Sequence, residues 1–259
     1  MNLGLDGRLA VVTGGSRGIG FATARILAEE GCDVVVVARH LQPLQDAAKQ
    51  IASATGQRAF AIAADTANDE SVAAMAAVVN GDLGGGDILV NAAATPSVVP
   101  FADSDLPNEL NVKLQGYLRC IRALSPAMIN KGWGRIVNVA GLAARQTGSI
   151  TSSVRNAAVV AMTKNLADEL GPSGITVNVI HPGTTKTETF ADQLARRAAQ
   201  MKTTPQALEA DLAARVAIGR LLSAEEVAWV IAFLASKRGL AINGDIVVAS
   251  GGIRGPIFA

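Results

Sequence analysis

Short runs of β-branched and other apolar residues recur along the chain at Val11–Thr13, Asp33–Ala38, Arg58–Ala63, Asp87–Asn91, Arg135–Val139, Thr176–Ile180 and Asp245–Val248. Longer stretches of helical spacing separate them, and this alternation of strand and helix patterns implies a parallel sheet. Several runs are apolar at successive positions rather than at every second one, as in strands covered by helices on both faces. The pattern predicts an α/β, doubly wound parallel sheet, with binding sites beyond the C-terminal ends of its strands. Residues 184–215 break the alternation: threonines lead into a polar, alanine-rich helical pattern. Two readings fit that excursion, a mobile lid over a substrate site and a surface helix hairpin. No repeat, low-complexity tract or linker divides the chain, so residues 1–259 are read as a single domain.

Composition narrows the partners. With 259 residues, 49% of them apolar, the chain can bury a large core, and doubly wound sheets of this length are commonly one domain. A net charge of +1 without a basic block leaves no electrostatic footprint for nucleic acid or an anionic membrane, which makes a small molecule the expected partner. The N-terminal residues lack a basic segment followed by a long apolar one, and a cytoplasmic location is the expectation. Cys32 and Cys120 lie in apolar surroundings with no CxxC spacing, so both are read as buried, inert thiols and no metal site is expected.

The chemistry begins at TGGSRGIG, Thr13 to Gly20, which follows an apolar strand and opens the helical stretch Phe21–Glu30. In that setting the motif reads as a nucleotide-binding turn. Gly14 suits the tight turn, Gly18 the close approach of backbone to a pyrophosphate, and Gly20 the packing of helix on strand, with the helix N-terminus facing the phosphates. NAD sites usually place an acidic residue about 20 residues further on, at the end of the second strand. Here Ala38, Arg39 and His40 occupy that place. A carboxylate would repel a 2′-phosphate, whereas a guanidinium binds it with charge-assisted hydrogen bonds, so Arg39 and Arg17 favour NADP(H) over NAD(H). The competing reading is that both arginines are solvated surface charges.

Further motifs agree along the chain: Asp65 after the third strand, NAAA at Asn91 to Ala94, GRIVNV at Gly134 to Val139, PGTTKT at Pro182 to Thr187, and GRLLSAEEVAWVIAFLAS at Gly219 to Ser236. Together they resemble the short-chain dehydrogenase/reductase family over essentially the whole chain. The resemblance implies a Rossmann fold and an NAD(P)-dependent oxidoreductase acting on a small carbonyl or alcohol. It also implies a homo-oligomer, tetramer or dimer, built through the two long helices and the C-terminal segment. By position, Asn91 would brace the sheet, Asp65 would contact adenine, and the segment ending at Thr187 would cradle the nicotinamide. Ser16, Ile19, Thr66, Ala92, Ala93, Pro182, Gly183 and Thr185 join the expected cofactor contacts on the same grounds.

The family's catalytic set is substituted. Alignment of NAAVVAMTKNLADEL, Asn156 to Leu170, puts Gly141 at the serine, Ser152 at the tyrosine and Asn156 at the lysine. Tyr117 is the chain's one tyrosine, so no realignment restores the pair. On the preceding helix, Val112 to Met128, the family's asparagine falls on Lys113, with Asn108 and Asn111 close by as an alternative register. Lys113 and Asn156 would then have changed places between two helices, either as a compensating swap or by independent decay of an unused site. Candidate catalytic residues are Lys113, Ser152, Asn156 and His181, the last for its suitable pKa at a strand's C-terminal end. An unassisted serine is a poor acid. Arg145 and Arg155 are read as an anion site, a subunit contact or solvated surface. Two functions stay open: an oxidoreductase with an altered proton path, and a catalytically impaired nucleotide-binding homologue acting as sensor or partner subunit.

Overall fold

The computed structural model describes residues 2–94 and 105–255. Its centre is a seven-stranded, all-parallel sheet made of β1 (Leu9–Thr13), β2 (Asp33–Ala38), β3 (Ala59–Ala63), β4 (Ile88–Asn91), β5 (Gly134–Val139), β6 (Ile175–Pro182) and β9 (Ile246–Ala249). Their spatial order is β3-β2-β1-β4-β5-β6-β9, so the winding reverses between β1 and β4. Right-handed crossovers on either side of that reversal put helices on opposite faces and open a crevice above the strands' C-terminal ends.

Alternate side chains along one strand feed two cores. Ala10, Val12, Val34 and Val36 pack with α1 (Gly18–Glu29), α2 (Leu41–Thr55) and α9 (Ala224–Leu234), through Ile26, Leu27, Leu44, Ile51 and Ile231. Leu9, Val11, Val35 and Val37 point the other way, onto α3 (Asp69–Gly81), α5 (Gly116–Lys131) and α6 (Ile150–Leu170). Burial on both faces is why these strands read as continuous apolar runs rather than as alternating ones.

The predicted strands are all present, with small differences at their ends. β1 starts at Leu9, which pairs with Asp33 of β2, and β6 runs to Pro182, which pairs with Ala249 of β9, because these parallel ladders continue past the strongest apolar positions. The excursion contains α7 (Phe190–Gln200) and α8 (Pro205–Ala214), a helix pair with its own small core of Leu194, Ala198 and Leu208. A two-residue ladder between β7 (Thr185–Lys186) and β8 (Leu222–Ser223) closes the base of this excursion. Strands that short carry no periodicity. Cys32 and Cys120 are buried free thiols, each pushed up to about 12 chiefly by burial, as expected for inert cysteines.

Ahead of α5, the chain forms α4 (Leu106–Leu110) and then one turn of π-helix over Asn111–Gln115. The sequence pattern predicts a regular helix through Val112, so this wider turn is a correction. Gly116 lies against the loop after β3, where a Cβ would stand 3.0 Å from the carbonyl oxygen of Thr66. A side chain there would push Thr66 back by a few tenths of an ångström.

Candidate active site

The glycine turn is built as its spacing implies. Gly14 has φ +71°, and a Cβ there would meet the carbonyl of Ala92 at 2.8 Å. Gly20 is packed against the Gly14 carbonyl, where a Cβ has no room. The amides of Gly14 and Gly15 donate to the Val37 carbonyl at 2.7 and 3.3 Å, tying the turn to the end of β2 two residues before Arg39. Arg17, the N-cap of α1, and Arg39 are both exposed there. Ser16 is half-buried in the turn, and Ile19 packs against the core under α1.

The turn also binds a carboxylate from its own chain. The Gly18 amide, at the start of α1, donates to both oxygens of Glu188, at 2.9 and 3.1 Å. Backbone N–H groups at a helix N-terminus favour an anion, and here the anion is the residue after Thr187.

On the neighbouring strands, Ala92 and Ala93 present their amides to the hydroxyl of Thr13 at 3.1 and 3.3 Å. The Asn91 side chain donates to Asn138 Oδ1 at 3.0 Å, and Asn138 donates in turn to Thr163 on α6. This chain of amides holds β4, β5 and α6 together at the rim of the crevice. The Asp65 carboxylate accepts the Ala67 amide at 3.0 Å and shapes its own loop, while Thr66 is buried beneath Gly116. Pro182 ends β6, the Gly183 amide donates to Ala249, and the Thr185 hydroxyl donates to the Gly183 carbonyl. Thr187 lies over Gly18.

Lys113 occupies the middle of the π turn and is buried, at 4% exposure. Its ammonium donates to the Ala140 carbonyl at 3.3 Å, just beyond β5. One turn on, the Tyr117 hydroxyl donates to the preceding carbonyl, Val139, at 2.9 Å. Burial pulls the Lys113 ammonium down to about 8 and pushes the Tyr117 phenol well above its ordinary value. The chain's one tyrosine is therefore a brace between helix and strand, with its hydroxyl turned to the Val139 carbonyl.

His181 stands beside Ala140, because β5 and β6 pair Val139 with Ile180. It is fully buried, and among the described residues neither ring nitrogen has a hydrogen-bond partner. Burial first, then the nearby charges of Arg145 and Lys113, bring its pKa down to about 4, so the ring is neutral at pH 7. Asn156 is buried on α6, with its Nδ2 3.4 Å from where a Gly141 Cβ would sit and its Oδ1 without a hydrogen-bond partner among the described residues. The Lys113 hydrogen bond goes to Ala140 rather than to that Oδ1. Ser152 lies buried in the first turn of α6, its amide capped by the Ser149 hydroxyl at 3.3 Å.

The fold thus brings Lys113, Gly141, Asn156 and His181 to one end of β5 and β6. Sequence reasoning named Arg155 but missed its partner. Glu109 of α4 and Arg155 of α6 form a buried ion pair, each side chain 9% exposed, which corrects the solvated-surface reading of Arg155. Neither Glu109 nor Glu188 stands in a motif that would have marked it.

A family model described as Enoyl-(Acyl carrier protein) reductase matches residues 14–254. The chain is 36% identical to the short-chain reductase protein NovJ of Streptomyces niveus, over 94% of this chain and 93% of that one. It is 35% identical to a cis-4-hydroxycyclohexanecarboxylate dehydrogenase of Sinomonas cyclohexanicum, over 95% and 96%. Among solved structures, L-sorbose reductase of Gluconobacter frateurii, in complex with NADPH and L-sorbose, superposes with a TM-score of 0.93 at 31% identity, covering 99% of this chain and 100% of that one. A glycine turn, a sheet order and a coverage that agree from end to end leave one conclusion, that this chain belongs to the short-chain dehydrogenase/reductase family.

Proposed function

We propose that the protein is an NADP(H)-dependent oxidoreductase of a small carbonyl or alcohol, in which Lys113 takes the place of the family's tyrosine as proton donor. The observation that carries this reading is the buried ammonium of Lys113, held at the crevice end of β5 beside His181 and one helix from Asn156. The backbone suits a dinucleotide: Gly14 and Gly20 are packed where no Cβ fits, and the Gly18 amide already takes an anion. Ser16, Arg17, Ile19, Asp65, Thr66, Asn91, Ala92, Ala93, Pro182, Gly183, Thr185 and Thr187 line the path proposed for it. When bound, the dinucleotide supplies or receives the hydride.

Lys113 holds a proton at Nζ and gives it to the substrate oxygen during reduction. A group with a pKa of about 8 is matched to that work near neutral pH, as general acid catalysis requires. His181 stays neutral, so it acts as a hydrogen-bond donor or acceptor toward the substrate oxygen and does not supply the charge. The Oδ1 of Asn156, unpartnered among the described residues, is an acceptor that orients the ammonium or a substrate hydroxyl. Ser152, buried one turn before Asn156 on α6, is the further hydroxyl assigned to this site. Helices α7 and α8 serve as the substrate lid, and exposed Trp229 and Phe233 on α9 support assembly with further copies of the chain.

Purified protein, NADPH and a panel of small ketones test the activity directly through loss of NADPH absorbance. A second reading, a nucleotide-binding sensor or partner subunit, is favoured by the diversion of the chain's one tyrosine to Val139. Tight NADPH binding without turnover on any carbonyl would select it.

Cofactor choice has its own test. A charge-assisted contact to a 2′-phosphate is worth roughly 1.5 kcal/mol or more, about tenfold in affinity. NADPH is expected to bind at least about tenfold tighter than NADH, and Arg39→Ala to remove most of that difference. Fluorescence titration of both nucleotides against both proteins checks it, and equal affinities would remove NADP(H) from the reading.

A further inference from the structure

We infer that Glu188 is a latch on the glycine turn: in the nucleotide-free chain its carboxylate occupies the anion seat at the start of α1, and a dinucleotide must displace it. The inference deepens the NADP(H) reading and rests on it.

Both oxygens of Glu188 accept the Gly18 amide, at 2.9 and 3.1 Å, and the contact joins residues far apart in the chain. Arg17, the N-cap of α1, makes no side-chain capping bond, and the first turn of α1 contains no acidic residue. The N-terminus of this helix therefore draws its anion from outside, and Glu188 supplies it. A pyrophosphate on the same amide would bring like charge into the same place, so carboxylate and phosphate exclude each other.

The latch is attached to the lid. Glu188 lies between β7 and α7; β7 is paired to β8, and Lys186 forms an ion pair with Glu209 of α8. The Thr187 carbonyl accepts the Phe190 amide, so the start of α7 follows directly from the latch. The latch and the entry to α7 therefore share one short stretch of backbone. Nucleotide binding and the position of the lid become one equilibrium, and the apparent affinity is reduced by the fraction of chains in which the latch is closed. An exposed carboxylate at a helix N-terminus gives a modest effect, on the order of threefold in affinity.

The test uses the full-length chain and Glu188→Ala, with two readouts. Hydrogen exchange at the Gly18 amide, in protein without nucleotide, is expected to be slow in the wild type and faster in the variant. Equal exchange would overturn the latch whatever the nucleotide does. Titration with NADPH is expected to give about threefold tighter binding to Glu188→Ala. Unchanged or weaker binding would overturn the competition and assign Glu188 to the support of the bound state. If neither protein binds NADPH, the nucleotide reading falls, and the exchange arm is then repeated with inorganic pyrophosphate. Pyrophosphate that protects Gly18 better in the variant than in the wild type keeps the latch, and no difference removes it.

Discussion

Lys113→Met is expected to lower the turnover of carbonyl reduction by about a hundredfold or more, the usual loss when a general acid is removed. Methionine has similar length and no charge, so it leaves the buried space filled. The exchange also removes a buried cation whose hydrogen bond goes to a backbone carbonyl. Loss of its desolvation penalty offsets loss of that bond, and Tm is expected to move by about 3 °C or less. The pH dependence separates proton donation from simple charge. Burial brings the Lys113 ammonium down to about 8. Reduction, which needs the protonated form, should therefore be level below about pH 8 and fall with rising pH above it. Alcohol oxidation, which needs the neutral amine, should rise through the same range. Lys113→Arg keeps a positive charge that does not titrate here, so it should lose activity and also lose this alkaline limb. Steady-state kinetics across pH in both directions checks the set. Wild-type turnover in Lys113→Met would leave the lysine without a catalytic role.

Glu109→Leu is expected to destabilise the fold by about 3 kcal/mol, because it removes the acidic member of a buried ion pair that joins α4 to α6. For a chain of this length that corresponds to a fall in Tm of roughly 8 °C. Burial already holds the Arg155 pKa below its usual value, a sign that desolvation of this cation is costly even with its partner present. Replacing both members, Glu109→Leu with Arg155→Met, should recover much of the loss, since a buried ion pair and an apolar pair of similar volume differ little in stability. Thermal unfolding of the two single variants and the double variant closes the cycle. Equal destabilisation by the single and double variants would show that helix packing, and not the charge pair, joins α4 to α6.

The elements that sequence alone made legible are those whose signals are local. Runs such as Asp33–Ala38 are apolar because both faces of a strand are covered, and the glycines at 14, 18 and 20 are dictated by backbone geometry within one turn. Tyr117 could likewise be set aside early, since a single aromatic in an apolar helix pattern is usually packed. The π turn over Asn111–Gln115 was not legible: it sits next to the close approach of Gly116 to Thr66, a contact with a different crossover that no local spacing marks. The ladder of β7 with β8 was equally hidden, because two residues cannot establish a period.

The amino-acid sequence by itself determined the doubly wound sheet, the glycine turn, the absence of an acid after β2 and the restriction to a single tyrosine, Tyr117, because each is written in residue identity at fixed local spacing. Only the tertiary structure decided what meets at the strand ends. The parallel register of β5 with β6 sets His181 beside Ala140, and the π turn carries Lys113 to the same carbonyl. The lid segment delivers Glu188 to Gly18, and two helices meet through Glu109 and Arg155. These contacts join residues from separate crossovers. Their partners, their burial and the lowered pKa of the lysine exist only once the sheet has brought the strand ends together.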